Sequence, residues 1–208
     1  ASEAGAWQFL NDNYVQAGKL TTDKFGYAGS SNWDDFETIN FNFTFGGEPA
    51  VFHTRTSYET SLPYVTNSRA VSSRDASPTA SSMGVLFGRG LLGSASDSVN
   101  DELSWIATDQ FTGNFEGTLF EFGVSGDSIE AVDESPPYNE GYTQSFTSAP
   151  QITLTTMIRV DGSDGGYGLT YGSATTSNHP MAIAEQTSGS QAHTAEPASF
   201  AAFSTNGS

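Results

Sequence analysis

The stretch Thr38-Ile39-Asn40-Phe41-Asn42-Phe43-Thr44-Phe45 alternates strictly between polar and apolar side chains, and Gly46-Gly47 stops it. Successive side chains of an extended chain point to opposite faces. Period two therefore puts Ile39, Phe41, Phe43 and Phe45 on one face and predicts a half-buried antiparallel strand over 38–45. Working outward, segments of similar character recur at 50–56, 83–88, 103–108, 118–123, 152–160, 167–171, 181–185 and 199–204. Gly, Ser, Asp and Pro turns space them as in a sandwich or barrel. The fold class predicted is all-β. Residues 5–17 read equally well as one short helix or as an added strand.

The strands carry an internal repeat. Gly18-Lys19-Leu20, Phe43-Thr44-Phe45, Pro49-Ala50-Val51, Met83-Gly84-Val85 and Glu102-Leu103-Ser104-Trp105-Ile106-Ala107 form one ordered set. It returns as Gly117-Thr118-Leu119, Phe146, Pro150-Gln151-Ile152, Met181-Ala182-Ile183 and Glu196-Pro197-Ala198-Ser199-Phe200-Ala201. Recurrence at about one hundred residues is the mark of a duplicated unit. Each landmark has a physical use. A Pro opens a strand where its missing N–H does no harm, and Ala107 and Ala201 suit a place where two sheets pack closely. The expectation is two tandem antiparallel β-sandwich units related by duplication: residues 18–110, residues 111–208, and a preceding segment 1–17 able to serve as an arm.

These landmarks resemble the H-type lectin domain and a looser set of extracellular repeats related to it. Phe43, Phe45, Pro49, Val51, Val85, Trp105 and Ala107 fit the pattern in the first copy; Phe146, Pro150, Ile152, Ile183, Phe200 and Ala201 fit it in the second. The acidic His-Thr-x-Glu signature of the looser repeats is matched within residues 185–196, at His193, Thr194 and Glu196. The resemblance covers residues 38–108 and 142–204. It implies a six-stranded antiparallel sandwich per copy, frequent trimers and sugar binding in grooves between subunits. Those lectins carry an Arg beside the Trp of the last strand, whereas Trp105 is flanked by Ser104 and Ile106, and the second copy has Ser199-Phe200.

Composition bounds the setting. The chain of 208 residues has 24 Asp and Glu against 7 Lys and Arg, a net charge of −17. Such a field repels phosphate backbones and anionic bilayers, so nucleic acid and membrane are poor partners. It suits a salty milieu, where the repulsion is screened. With no cysteine, disulfides and thiolate chemistry are out. No apolar run reaches the roughly 20 residues of a membrane-spanning helix. The expected location is outside the cell, and the sequons at Asn42 and Asn206 are then candidate glycan sites.

Catalytic signatures are missing: there is no G-x-S-x-G elbow, no H-E-x-x-H and no phosphate loop. Of three histidines, His53 reads as a core residue, His179 precedes a Pro in a turn, and His193 lies three residues before Glu196. The chain is expected not to be an enzyme. Sugar sites stack an aromatic face on a pyranose and fix hydroxyls with charged or amide groups. The candidates are Trp105 with Asp109, Arg55 with Tyr58, Arg69 with Arg74, and Trp33-Asp34-Asp35. The acidic, Gly-rich run 161–166, with Asp161 and Asp164, offers oxygen ligands for calcium, although Asp-Gly also favours a plain hairpin turn. Asp97, Asp101 and Glu102 form a second acidic cluster with the same two readings. The partners expected are glycans or other copies of the chain, in a homo-oligomer or polymer. The two functions in view are carbohydrate binding in adhesion and, alternatively, a structural subunit of an extracellular filament, surface appendage or virion spike.

Overall fold

A computed structural model describes residues 5–27, 34–59, 64–89, 99–162, 165–185 and 191–205. Among these residues the protein is all-β, with a 3-10 turn at Leu10–Asp12 and no α-helix. Four small sheets form a propeller-like ring. Sheet A has the order β1 (Gly5–Gln8), β2 (Tyr14–Thr22), β8 (Asp101–Thr108), β5 (Ala50–Arg55). In sheet B, β7 (Ser82–Arg89) pairs with β6 (Val65–Arg69) along one side. Along its other side lie β4 (Glu37–Asn40) and β3 (Phe25–Tyr27), the latter parallel to β7. Sheet C has the order β12 (Ile152–Met157), β15 (Ala198–Thr205), β10 (Thr118–Val124), β9 (Phe111–Phe115). Sheet D has the order β11 (Tyr138–Gly141), β14 (Asn178–Glu185), β13 (Gly166–Thr170). The orders β2-β8-β5 and β4-β7-β6 of the first half thus return as β10-β15-β12 and β11-β14-β13 in the second.

Three clusters make the core. Val51, Leu103, Trp105 and Ala107 of sheet A meet Ile39, Met83, Val85 and Phe87 of sheet B. Phe200, Ala198 and Met157 of sheet C meet Met181 and Ile183 of sheet D. The other faces of sheets A and C pack on each other through Ala50, Phe52, Ala201, Phe122 and Phe203. The halves also interlock. Leu86 of β7 lies in the second half's core, and Ile158, just past β12, lies in the first half's core. The N–H of Val51 donates to Ser199 Oγ across the junction (2.8 Å).

The long strand expected over 38–45 stops at Asn40. Beyond it the chain bends: the Asn42 N–H donates to the buried Gln16 Oε1 (2.9 Å), and the Phe41 and Phe43 rings each meet Phe45 edge-on, with centroids 5.0 and 4.9 Å apart. Alternation here marks a folded-over aromatic corner, not ladder pairing. The strand expected over 152–160 ends at Met157, where Ile158 turns across to the first half. Residues 5–17 hold strands joined by the 3-10 turn, with no α-helix: β1 and the start of β2 form a hairpin on the edge of sheet A.

Candidate functional site

Trp105, Asp109, Arg69 and Arg74 are each packed or paired with neighbouring residues. Trp105 is only 5% exposed; its ring covers Gly18, where an added Cβ would lie 2.8 Å from an indole carbon. Asp109 accepts the Tyr14 N–H at Oδ2 (2.7 Å) and the Gly46 N–H at Oδ1 (2.8 Å), tying β2 to the turn after the aromatic corner. Arg69 is buried over the Phe36 ring and pairs with Asp34 (3.1 Å). Arg74 pairs with neighbouring Asp75 (3.2 Å) at the surface. Asn42 is exposed on the aromatic corner. Asn206, Asp164, Asp97 and Trp33 lie outside the described residues.

Arg55 and Tyr58 are brought together. Arg55 is buried, pairs with Asp101 (2.5 Å), and lies 4.7 Å beneath the Tyr58 ring centroid. Asp101 also accepts the Glu59 N–H (2.8 Å) and the Ser57 hydroxyl (2.7 Å). Burial pushes the Asp101 carboxyl up, but the Glu59 N–H, Ser57 and Arg55 outweigh it and hold it below the usual carboxylate range. Tyr58 itself is 77% exposed.

This pair opens onto a cleft of about 240 Å³ where β5 and β6 of the first half meet β12 and β13 of the second. Tyr58, Tyr64, Thr66, Thr155, Thr156 and Tyr167 are among its lining residues. Tyr167 is 39% exposed. At the floor, His53 bonds Thr66 Oγ1 through Nδ1 (2.7 Å) and Ser68 Oγ through Nε2 (3.0 Å). Burial pushes the His53 imidazole down to about 4, so it is neutral at pH 7. His179 repeats the theme in the second half: Nε2 meets Thr155 Oγ1 (2.9 Å) and Thr170 Oγ1 (3.2 Å), and burial lowers it to about 4 as well. Both rings are spent on hydroxyls that bridge neighbouring sheets. Tyr167, which no motif marked, reaches the cleft because β13 runs beside β6.

Asp161 enters a different cluster. Arg159 pairs with Asp127, with Asp161 (2.6 Å) and with Glu196 (3.5 Å). Oxygens of Asp127, Asp161 and Glu196 lie within 4.8 Å of one another. Glu196 is fully buried and its Oε1 accepts the Asp161 N–H (2.5 Å). Burial raises the Glu196 carboxyl to about 7, against the pull of the Asp161 N–H and of His193. Arg159 already supplies the counter-charge, and a divalent ion here would have to displace a guanidinium. The sequence marks Asp161 and expects Arg159 to meet a carboxylate, but it does not join them to Asp127 and Glu196, which converge with them only through the pairing of β10 and β12 with β15.

A groove of about 970 Å³ runs along the outer face of sheet A beside β12, with Phe52, Ile106 and Leu154 in its wall. It is broad and more apolar in its lining than the tyrosine cleft, and no tyrosine lines it. The class the described residues define is an all-β protein of four sheets. Comparisons with family models, with curated proteins and with solved structures found no match.

Proposed function

We propose that the chain is a tandem pair of β-sandwich units that binds carbohydrate outside the cell, without covalent chemistry, in the cleft between the units. The duplication rests on paired details. Gly18 lies opposite Trp105, and Gly123 opposite Phe200; each glycine is covered by that ring. Phe41 and Phe45 donate their N–H groups to Ser81 and Ala80, as Tyr142 and Phe146 do to Ser177 and Thr176. Asp101 takes the Glu59 N–H, as Glu196 takes that of Asp161. These registers replace three landmarks of the repeat: Gly18 matches Gly123, Met83 matches His179, and Asp101 matches Glu196.

The single observation that carries the binding reading is the pair of exposed tyrosines, Tyr58 and Tyr167, lining one small cleft that also holds threonine hydroxyls. Aromatic faces with convergent hydroxyls suit the mixed apolar and polar surface of a pyranose. The cleft is below the volume typical of drug-sized sites, which fits a single terminal sugar better than an extended chain. An anionic sugar meets a chain of net charge −17 and an arginine already matched by Asp101, so a neutral glycan is favoured. A glycan array followed by titration calorimetry tests this. Tyr58→Ala and Tyr167→Ala should each weaken the affinity about tenfold, the equivalent of roughly 1.4 kcal/mol. Equal affinity in both variants would remove the cleft as the site, and an array without signal would remove the carbohydrate reading.

A further inference from the structure

A second surface has a different character. Where the outer faces of sheets A and C diverge, β1 and β9 leave a trough of about 690 Å³. Its floor is Phe120, Phe122 and Phe203, and Trp7, Phe9 and Phe115 stand at its walls. Trp7 is 54% exposed and Phe115 50%, whereas Phe120 is buried. Phe9 comes from the first half but packs on Phe111, Phe115 and Phe120 of the second, with centroids 6.0, 6.2 and 5.9 Å apart. β1 and β9 are also the last strands of their sheets.

We propose that this face binds the same face of a second copy, so that the protein is an isologous dimer joined at the β1–β9 trough. Two observations choose this occupant. First, the face carries both halves of a self-complementary contact: protruding rings at the rim and a recessed aromatic floor beside them. A two-fold interface requires exactly that juxtaposition of knob and hole on one patch. Second, among the described residues none that lines the trough is charged, in a chain with 24 acids. A basic partner would find stronger footing almost anywhere else on this surface. Another copy, equally acidic, approaches at least electrostatic cost where neither side presents charge. Among the described residues β1 and β9 each pair along one side only, so their outer edges add main-chain donors and acceptors to the contact. The inference is independent of the carbohydrate reading.

Sedimentation equilibrium of the full chain tests it. The expected result is a monomer–dimer equilibrium that tightens as salt rises, because screening removes the mutual repulsion of two anions while the apolar contact persists. Trp7→Ser and Phe115→Ser should each raise the dissociation constant roughly thirtyfold, as loss of a central interface aromatic does. Ile152→Ser with Leu154→Ser, on the exposed apolar face of β12, should leave it unchanged. Amide exchange of the unmodified protein gives a readout free of folding effects: β1 and β9 should gain protection from dilute to concentrated solution. A monomer at every concentration and salt, an equilibrium broken by the β12 substitutions instead, or flotation with neutral lipid vesicles in place of self-association would each overturn the proposal.

Discussion

Buried titratable side chains give this protein opposing pH responses. His53 and His179 have folded values near 4 against 6.5 in an unfolded chain. As pH falls below 6.5 the unfolded chain takes up protons first, so the stability these two neutral rings contribute is complete above about 6.5 and drains away down to about 4. The upper bound is roughly 3 kcal/mol for each ring. Glu196 runs the other way. Its folded value near 7 exceeds the usual 4.5, so its contribution is complete below 4.5 and is lost as pH rises through 7. His179→Gln should therefore flatten the loss of stability between pH 6.5 and 4, and Glu196→Gln should flatten the loss between 4.5 and 7. Urea midpoints across that range read both; an acid limb of unchanged slope in His179→Gln would mean the ring is not held neutral. At Arg55, Asp101→Asn removes the carboxylate paired with a buried guanidinium. A loss of roughly 3 kcal/mol or more is expected, because removing one partner of a buried pair strands the other.

At the scale of strands, close approach of backbone and ring decides where glycine is needed. A Cβ at Gly18 would lie 2.8 Å from the Trp105 ring, and one at Gly123 2.4 Å from the Phe200 ring. Gly18→Ala and Gly123→Ala should each cost about 1–3 kcal/mol by forcing those rings out of their rotamers. Gly141→Ala, with open space around its Cβ position, should be near neutral. Thermal melts separate the two classes. The two-residue turn joining β9 to β10 has Glu116 at φ 50° and Gly117 at φ 85°, the pattern that favours Asn-Gly. The same scale explains what the sequence makes legible. Apolar runs located β5, β7, β8, β10, β14 and β15, whose side chains face a core, and also β13 and β12, although Ile152 and Leu154 of β12 face outward. They passed over β6 and β11, whose polar runs Val-Thr-Asn-Ser-Arg and Tyr-Asn-Glu-Gly carry no apolar alternation. Thr66 and Ser68 of β6 are turned instead to the His53 ring, a partner more than ten residues away. Tyr58 could be singled out beside Arg55 in the chain, but its companion Tyr167 belongs to another half and becomes visible only when β13 lies beside β6.

For the whole molecule, the central question is whether each half could stand alone. Each has two facing sheets and its own aromatic and aliphatic cluster, which argues that it could. The junction argues more strongly that it does not. Leu86 leaves the first half to fill the core of the second, and Ile158 does the reverse. Phe52 faces Phe122 at 6.2 Å, and the Val51 N–H is satisfied by Ser199 of the other half. Separated halves would expose Ala50, Phe52, Phe122 and Phe203 together and leave gaps where Leu86 and Ile158 had been, each comparable to a large-to-small core substitution costing about 2–5 kcal/mol. That is a large share of the roughly 5–15 kcal/mol that holds a domain folded. Residues 1–110 and 111–208 expressed apart should therefore lack a cooperative melt, while mixing them should restore one, and the intact chain should unfold in a single calorimetric transition. Two resolved transitions in the intact chain, or sharp independent melting of either fragment, would show that the interlock is incidental and that the halves are autonomous domains.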